Sequence, residues 1–422
     1  MAQMMAYLIH TFPQYSSTFI NDEVDEMRRQ GAELALFAVQ KPGAKEYPSA
    51  FERFVRETRY IFPIRKGPFF ARHLKVLAQK PWSYLSCIAW ILAKRGLGIR
   101  NRVRTLYHFA EAVYIHPEIR ERGCRHVHAH FLFGGASVAY FLNRIHGMSY
   151  SLTAHGSDIF VDRVLHAEKL GHARFTRLAT EYNAAFLRPK IPAPLRHTLH
   201  VIPFGIDRNR IPPAEGRNPA RHASFSGRSP LRLLSVGRLI WQKAQHLLLE
   251  ACSQAARSGF EFHLRLVGEG PLRSDLEAQI RTLGLETRVT LVGAIPQDEV
   301  WLEYRRADIF LLTSVSEGSP FVILEALACG LPVIAPALHG IPEMIRDGVD
   351  GRLFQTGSAL SLTEAMGELM GNDTLRKRFG IEAETAAAHF DLVRSVSLFR
   401  KLFEAPNRPH LAFAGRETEV SA

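Results

Sequence analysis

Residues 307–340 read ADIFLLTSVSEGSPFVILEALACGLPVIAPALHG, and this stretch decides the fold. Its opening is a continuous apolar run of the kind a parallel sheet buries on both faces, so a strand is expected to end near Thr313. A polar loop follows. Ser319 is an N-cap candidate and Pro320 suits the first helical position, so a helix carrying FVILEALAC opens there. Free backbone N–H groups at such a helix start can hold a diphosphate. Within the helix, Glu325 has almost only apolar neighbours, and an unpaired buried carboxylate is costly. It needs donors. An internal arginine would supply them, and so would the ribose hydroxyls of a nucleotide. Glu317, eight positions earlier in the loop, is placed to take hydroxyls of an attached sugar.

Working outward, residues 231–236, 262–267, 289–292, 308–312 and 332–335 are β-rich runs, each followed by a turn and an amphipathic stretch. That is five βα steps on a parallel sheet. The first half repeats the scheme less regularly, with strands near 6–10, 33–39, 127–130 and 150–154. Residues 211–230, rich in Pro, Gly, Ser, Arg and Asn without a hydrophobic period, read as a linker. The expected organisation is an acceptor-binding domain over 1–210, the linker, a nucleotide-sugar-binding domain over 231–390, a helix over 391–404 returning to the first domain, and a disordered tail over 405–422. Ligands bind outside the strand carboxyl ends of such sheets, so the chemistry belongs at the β-to-α turns.

At the first of these turns in the second half, VGRLIWQK ends a strand with Gly237 and sets Arg238 and Lys243 on the turn. Two cations there can neutralise a diphosphate without metal, and the guanidinium fork suits phosphate oxygens. Gly268 and Gly270 in VGEGP permit close backbone approach at the next strand end. In the first half, TAHGSDIF sets His155 directly after a strand, followed by Gly156 and a helix start at Ser157 and Asp158, with Asp158 on the acceptor side. His126, His128 and His130 alternate along one strand and share a face. A metal triad and a structural set both stay open, although no carboxylate or cysteine completes a metal site. His130, at the strand end, is expected to line the acceptor cleft.

The pair Glu317 and Glu325 matches the E-x7-E signature of retaining GT-B glycosyltransferases, and EGSPFVILEALACGLPVIA resembles the nucleotide-sugar loop of glycosyltransferase family 4. The resemblance implies an α/β GT-B fold, two Rossmann-like doubly wound domains facing across a cleft. It further implies that Glu325 holds the ribose and Glu317 the donor sugar, with backbone contacts from Ser319, Pro320 and Phe321. GR-x4-K, with Arg238 and Lys243, is similar to the family's diphosphate motif. VGAIP is similar to its base-contacting loop, with Ile295 beside the nucleobase, and His155 matches the histidine directed at the donor sugar. The N-terminal FPQYSSTFINDEVDEM resembles the FPxxSETFI opening of bacterial exopolysaccharide and lipopolysaccharide glycosyltransferases, departing at Ser17. Ser16, Ser17 and Thr18 read as a helix cap near the acceptor, with a purely structural role equally open.

Composition sets the outer bounds. The 422 residues are 46% hydrophobic and 22% charged, which excludes a disordered or collagen-like chain and suggests two or three domains. The most apolar run, 84–92, is about half what a membrane-spanning helix needs. Residues 1–12 lack the pattern of a signal peptide and read as the first strand. Cys87, Cys124, Cys252 and Cys329 are scattered without CxxC, as expected of a reducing compartment. The net charge of +12 is uneven: residues 1–200 carry +13 and residues 201–422 carry −1. Within 65–104 there are ten basic residues and no acidic one, interleaved with Phe69, Phe70, Leu74, Leu77, Trp82, Tyr84 and Trp90. Such a mixture suits the headgroup zone of an anionic leaflet, and a solvated helical face is the plainer alternative. No nucleic-acid recognition motif accompanies it.

The resulting expectation is a retaining transferase of cell-surface polysaccharide biosynthesis, cytoplasmic and peripheral on the inner face of the membrane. It moves a sugar from a nucleotide diphosphate sugar to a lipid-linked or oligosaccharide acceptor. No cofactor and no metal are expected, since no D-x-D is present. A same-fold epimerase or phosphorylase, and a catalytically silent GT-B module in a membrane or polysaccharide complex, stay open as alternatives.

Overall fold

The computed structural model describes residues 4–14, 18–43, 47, 51–212 and 230–405. Ser16 and Ser17, most of the expected linker and all but the first residue of the expected tail lie outside these residues. The first half forms a seven-stranded parallel sheet from β1 (Met5–Thr11), β2 (Leu34–Gln40), β3 (Arg59–Tyr60), β4 (His126–His130), β5 (Ser149–Thr153), β6 (Thr176–Leu178) and β7 (Leu199–Val201). Their order is β3-β2-β1-β4-β5-β6-β7. The second half forms a six-stranded parallel sheet from β8 (Leu231–Val236), β9 (Phe262–Val267), β10 (Val289–Gly293), β11 (Ile309–Leu311), β12 (Val333–Pro336) and β13 (Gly351–Phe354), in the order β10-β9-β8-β11-β12-β13. Both sheets reverse their winding beside the central strand, at β1/β4 and at β8/β11. Each reversal opens a crevice at the strand carboxyl ends.

Apolar clusters cover both faces of each sheet, as parallel sheets require. All four cysteines are buried, and none forms a disulfide among the described residues. The helix Leu392–Glu404 lies on the first half, where Leu392, Val396 and Phe399 join Tyr7, Ile9, Val24 and Leu36 in one core. Its start is pinned by Asp391, which accepts from the Arg394 N–H at 2.8 Å. Gly205 lies so close beneath it that a Cβ there would come within 2.4 Å of the Leu392 Cα.

Between β3 and β4 the chain builds three helices in a row, Lys66–Gln79, Pro81–Ala93 and Ile99–Glu121. The basic segment falls here. Half of its cations turn inward. Arg104 forms a two-pronged pair with Asp162, Lys94 meets Glu168, Arg72 meets Glu118, Lys80 reaches the Ile145 carbonyl, and Arg102 donates to the Leu97 carbonyl. Phe69, Tyr84 and Trp90 also pack against the core. Arg65, Lys66, Lys75, Arg95 and Arg100 are exposed without a side-chain partner among the described residues.

Candidate active site

Glu325 is buried in the helix Phe321–Ala328, and no arginine reaches it. Tyr304 donates its hydroxyl to one carboxylate oxygen at 2.7 Å, and Gln297 donates its amide to the other at 3.1 Å. Burial pushes the carboxyl pKa up, and two neutral donors counter that only in part. The group therefore retains a demand for further donors. It borders a cavity of about 650 Å³ between the halves, walled by Pro296, Gln297 and Phe321 on one side and by Thr18, Phe19 and Asp22 on the other. Ile295, next to this wall, is half-buried in the second core.

Glu317 lies in the loop before that helix. One carboxylate oxygen accepts from Lys243 Nζ at 2.5 Å and from the Ser314 hydroxyl at 2.7 Å. Its backbone carbonyl accepts from His339 Nδ1 at 2.8 Å, so that nitrogen carries the proton. Gly237 runs beneath the Lys243 side chain. Arg238 behaves differently: its guanidinium is exposed and has no side-chain partner among the described residues. A cation left free beside a paired one can take an anion without first breaking a contact.

Two details of the loop differ from expectation. The helix begins at Phe321, with Pro320 in the cap position at φ −72°, ψ 113°, and no side chain caps it. Ser319 turns its hydroxyl to the Met344 sulfur at 3.7 Å instead. The first N–H groups are thus left to a ligand or to water. Gly268 and Gly270 serve the chain's own packing: a Cβ at Gly268 would meet the Gly237 carbonyl at 2.0 Å, and one at Gly270 the Leu239 carbonyl at 2.3 Å. They hold the Arg238 turn in place from behind.

Across the cleft, His155 follows β5 and is half-buried among aromatic rings. Phe204 stacks on it with 5.0 Å between centroids, Phe131 lies at 4.3 Å and Phe19 at 5.0 Å. Phe19 in turn stacks on Phe321 at 4.4 Å, joining the halves. His130 does not line the cleft as expected. It is fully buried, because its side chain points back toward the helix Thr18–Arg29, where Nε2 lies 3.3 Å from Glu23. Asp158 is likewise no acceptor contact. Its buried carboxylate accepts the backbone N–H groups of Leu132, His155 and Gly156, fixing the turn that presents His155. His126 and His128 spend their nitrogens on Ser149, Ser151 and Thr153 of β5, which is a hydrogen-bonded ladder and not a metal triad.

The two halves meet backbone to backbone. A Cβ at Gly318 would stand 1.8 Å from the His155 carbonyl oxygen and 2.4 Å from the Gly156 Cα. Farther along, Glu343 accepts the N–H groups of Glu181 and Tyr182, and His339 stacks on Phe160 at 4.3 Å. Sequence reasoning missed Tyr304, Gln297, His339 and the buried pair Glu23–Arg177. Glu23 belongs to the acidic run NDEVDEM, which reads as a solvated helix face, and Arg177 lies on a three-residue strand with no apolar run to reveal it.

The glycosyl transferases group 1 family matches residues 218–386. The chain is 27% identical over 404 residues to the putative colanic acid biosynthesis glycosyltransferase WcaL of Escherichia coli, covering 88% of this chain and 91% of that protein. It is 28% identical over 382 residues to the amylovoran biosynthesis glycosyltransferase AmsK of Erwinia amylovora, covering 85% and 88%. Among solved structures, HepE of Anabaena in complex with UDP superposes with a TM-score of 0.70 at 18% identity, over 95% of this chain and 99% of that one. The chain therefore has GT-B architecture, and its residues 218–386 are similar to the glycosyl transferases group 1 family.

Proposed function

We propose that the protein transfers a sugar, with retention of anomeric configuration, from a nucleotide diphosphate sugar to a lipid-linked glycan in exopolysaccharide or lipopolysaccharide biosynthesis. One observation carries this reading: two carboxylates eight positions apart on one loop and its helix, Glu325 bordering the cavity with neutral donors only and Glu317 joined to Lys243, with the exposed Arg238 guanidinium on the same turn as Lys243. A ribose would complete the hydrogen bonds of Glu325. The diphosphate would sit between Arg238 and the uncapped helix start, and the sugar beside Glu317 and His155. Front-face attack suits this set, since the leaving diphosphate can take the acceptor proton while both cations absorb its growing charge. The named activities of WcaL and AmsK support the choice of pathway class, and the UDP in HepE supports a nucleotide donor.

The test is slow hydrolysis of a panel of nucleotide sugars, with free phosphate omitted to expose a phosphorylase. On the donor that is turned over, Glu325→Ala should weaken nucleotide binding roughly ten- to a hundredfold, the cost of leaving buried hydroxyl donors unpaired. Glu317→Ala should lower turnover and leave the nucleotide dissociation constant nearly unchanged. Equal binding and turnover in both variants would sink the assignment.

The lipid-linked acceptor has its own support. No helix among the described residues is long and apolar enough to cross a membrane. Each of the three helices between β3 and β4 nevertheless exposes an apolar stripe at helical spacing: Phe70 and Leu74, then Trp82, Leu85 and Leu92, then Ile99, Val103 and Tyr107. Trp82 is 85% exposed and Ile99 83%. Interspersed with the five unpaired cations, these stripes fit the interface of an anionic leaflet at the cytoplasmic face. Each cation near such a surface contributes about 1 kcal/mol, and the attraction is screened by salt. Wild-type protein should co-sediment with phosphatidylglycerol vesicles at low salt and release at high salt. Reversing Lys66, Lys75, Arg95 and Arg100 to Glu should abolish binding. Equal binding to neutral vesicles, or none to either, would leave only a solvated face.

A further inference from the structure

Behind His155 stands a chain of buried polar groups that touches no part of the cleft. His130 Nδ1 lies 3.3 Å from His155 Nε2. The other ring nitrogen, His130 Nε2, makes no hydrogen bond among the described residues, and the Glu23 carboxylate lies 3.3 Å from it. Glu23 also accepts the Tyr7 hydroxyl at 3.1 Å and pairs with Arg177 at 2.5 Å. Arg177 is fixed in turn by Ser395 of the C-terminal helix at 2.7 Å and by the Ile202 carbonyl at 3.2 Å. All five of these residues are buried.

The hydrogen-bond roles follow from chemistry. Burial works to raise the Glu23 pKa, but Arg177 and His130 outweigh it and hold the carboxyl well below the usual range, so the group is ionised and can only accept. His130 therefore carries its proton on Nε2. The charges of Glu23 and Arg177 already cancel, so an imidazolium here would be an uncompensated charge in a fully buried position. With its proton facing Glu23, His130 offers Nδ1 as an acceptor. Burial above all holds His155 well below the usual histidine range, so its ring carries a single proton. Its proton must lie on Nε2, pointing at His130. The ring plane is set independently, by Phe204 and Phe131.

We propose that Glu23 and His130 are positioning residues: they lock His155 in the Nε2–H tautomer, so that its Nδ1 lone pair is the acceptor His155 offers to a hydroxyl of the donor sugar. This rests on the donor-site reading for its substrate, but not for its geometry. The sequence order of the parts explains why the arrangement is stable. Glu23 comes from the first helix, Arg177 from β6 and Ser395 from the last helix, so three separate elements fix the group behind His130.

The test has two arms. In protein labelled with nitrogen-15 at histidine and without any donor, His155 should show a protonated Nε2 and an unprotonated Nδ1. A proton on Nδ1 overturns the proposal, whatever the donor proves to be. In turnover, His130→Phe should lower kcat ten- to a hundredfold with the nucleotide dissociation constant unchanged. His130→Asn puts an amide oxygen where Nδ1 was and should recover at least a third of the loss on a logarithmic scale. A kcat for His130→Phe within twofold of wild type, or no recovery with His130→Asn while His155 keeps its tautomer, overturns the proposal. Should His130→Phe fail to fold, the wild-type spectrum and the His130→Asn turnover decide the question. Failure of the donor-site reading would appear instead as wild-type protein with the expected tautomer and no turnover of any nucleotide sugar.

Discussion

Lys243→Ala is expected to lower kcat by two to three orders of magnitude and to cost stability, whereas Arg238→Ala should lower kcat comparably at almost no cost in stability. The difference comes from their partners. Lys243 Nζ is 2.5 Å from Glu317, whose side chain is only 12% exposed. Removing the ammonium leaves that carboxylate desolvated and unpaired, facing the point where diphosphate charge develops. Loss of one preorganised charge aimed at a leaving group typically costs about 10²- to 10³-fold in kcat. The orphaned carboxylate adds repulsion of the same ligand, and an unsatisfied group of this kind costs about 1–3 kcal/mol of stability. Arg238 has no side-chain partner among the described residues, so its removal strands nothing. Exposed substitutions of that sort stay within about 0.5 kcal/mol. Lys243→Ala combined with Glu317→Ala should regain stability without regaining activity. Arg238→Lys should recover little, because a point charge does not reproduce the planar fork. In all these proteins residual activity should survive a strong chelator. Wild-type inhibition by chelator with rescue by manganese, or a Lys243→Ala kcat within threefold of wild type, would overturn the role given to the two cations.

The parts legible in the sequence are those whose cause is local. Residues 231–236 and 262–267 are expected as strands and are β8 and β9 residue for residue, because LRLLSV and FHLRLV are short β-rich runs, each followed by a turn and an amphipathic stretch. The carboxylate at 325 stood out because its neighbours could not satisfy it. What escaped depends on long-range partners. β3, β6 and β7 are two or three residues long, reading RY, TRL and LHV, and are strands only because neighbouring strands complete them. Glu23 and Arg177 are 154 positions apart, and nothing near either announces the other. His130 and Asp158 were assigned to the cleft on the sound premise that strand ends carry function. The premise gave the right turn and the wrong layer: His155 stands half-buried among Phe19, Phe131 and Phe204, while those two lie behind it. The basic segment shows the same limit, since sequence cannot distinguish a cation facing water from one such as Arg104, which reaches Asp162 58 residues away.

Gly318→Ala should abolish turnover, by a hundredfold or more, in a protein whose two sheets still form. Gly318 does not lie in the left-handed backbone region, so alanine meets no conformational penalty there. In the unfolded chain alanine has less freedom than glycine, which by itself favours the folded state by about 0.4–1 kcal/mol. The obstacle lies across the cleft. The new methyl group would stand 1.8 Å from the His155 carbonyl oxygen and 2.4 Å from the Gly156 Cα, both backbone atoms with no side chain to swing aside. Relief requires the halves to separate by about 1 Å or more, which pulls His155 away from Glu317. A misplacement of that size between reacting groups can cost on the order of 10²-fold. Nucleotide binding should persist, because Glu325, Gln297, Tyr304 and Arg238 all belong to the second half. Gly156→Ala approaches the same contact from the other side with a milder overlap, 2.9 Å to the Gly318 nitrogen, and should fall between Gly318→Ala and wild type. Gly367→Ala serves as control, since its methyl group would make an ordinary 3.8 Å contact with Phe260 far from the cleft. The order of kcat should therefore be wild type and Gly367→Ala, then Gly156→Ala, then Gly318→Ala, with Gly318→Ala also the least stable of the three variants. Wild-type turnover in Gly318→Ala would show that catalysis does not pass through the closed contact between the two glycines, and that the cleft works with its halves farther apart.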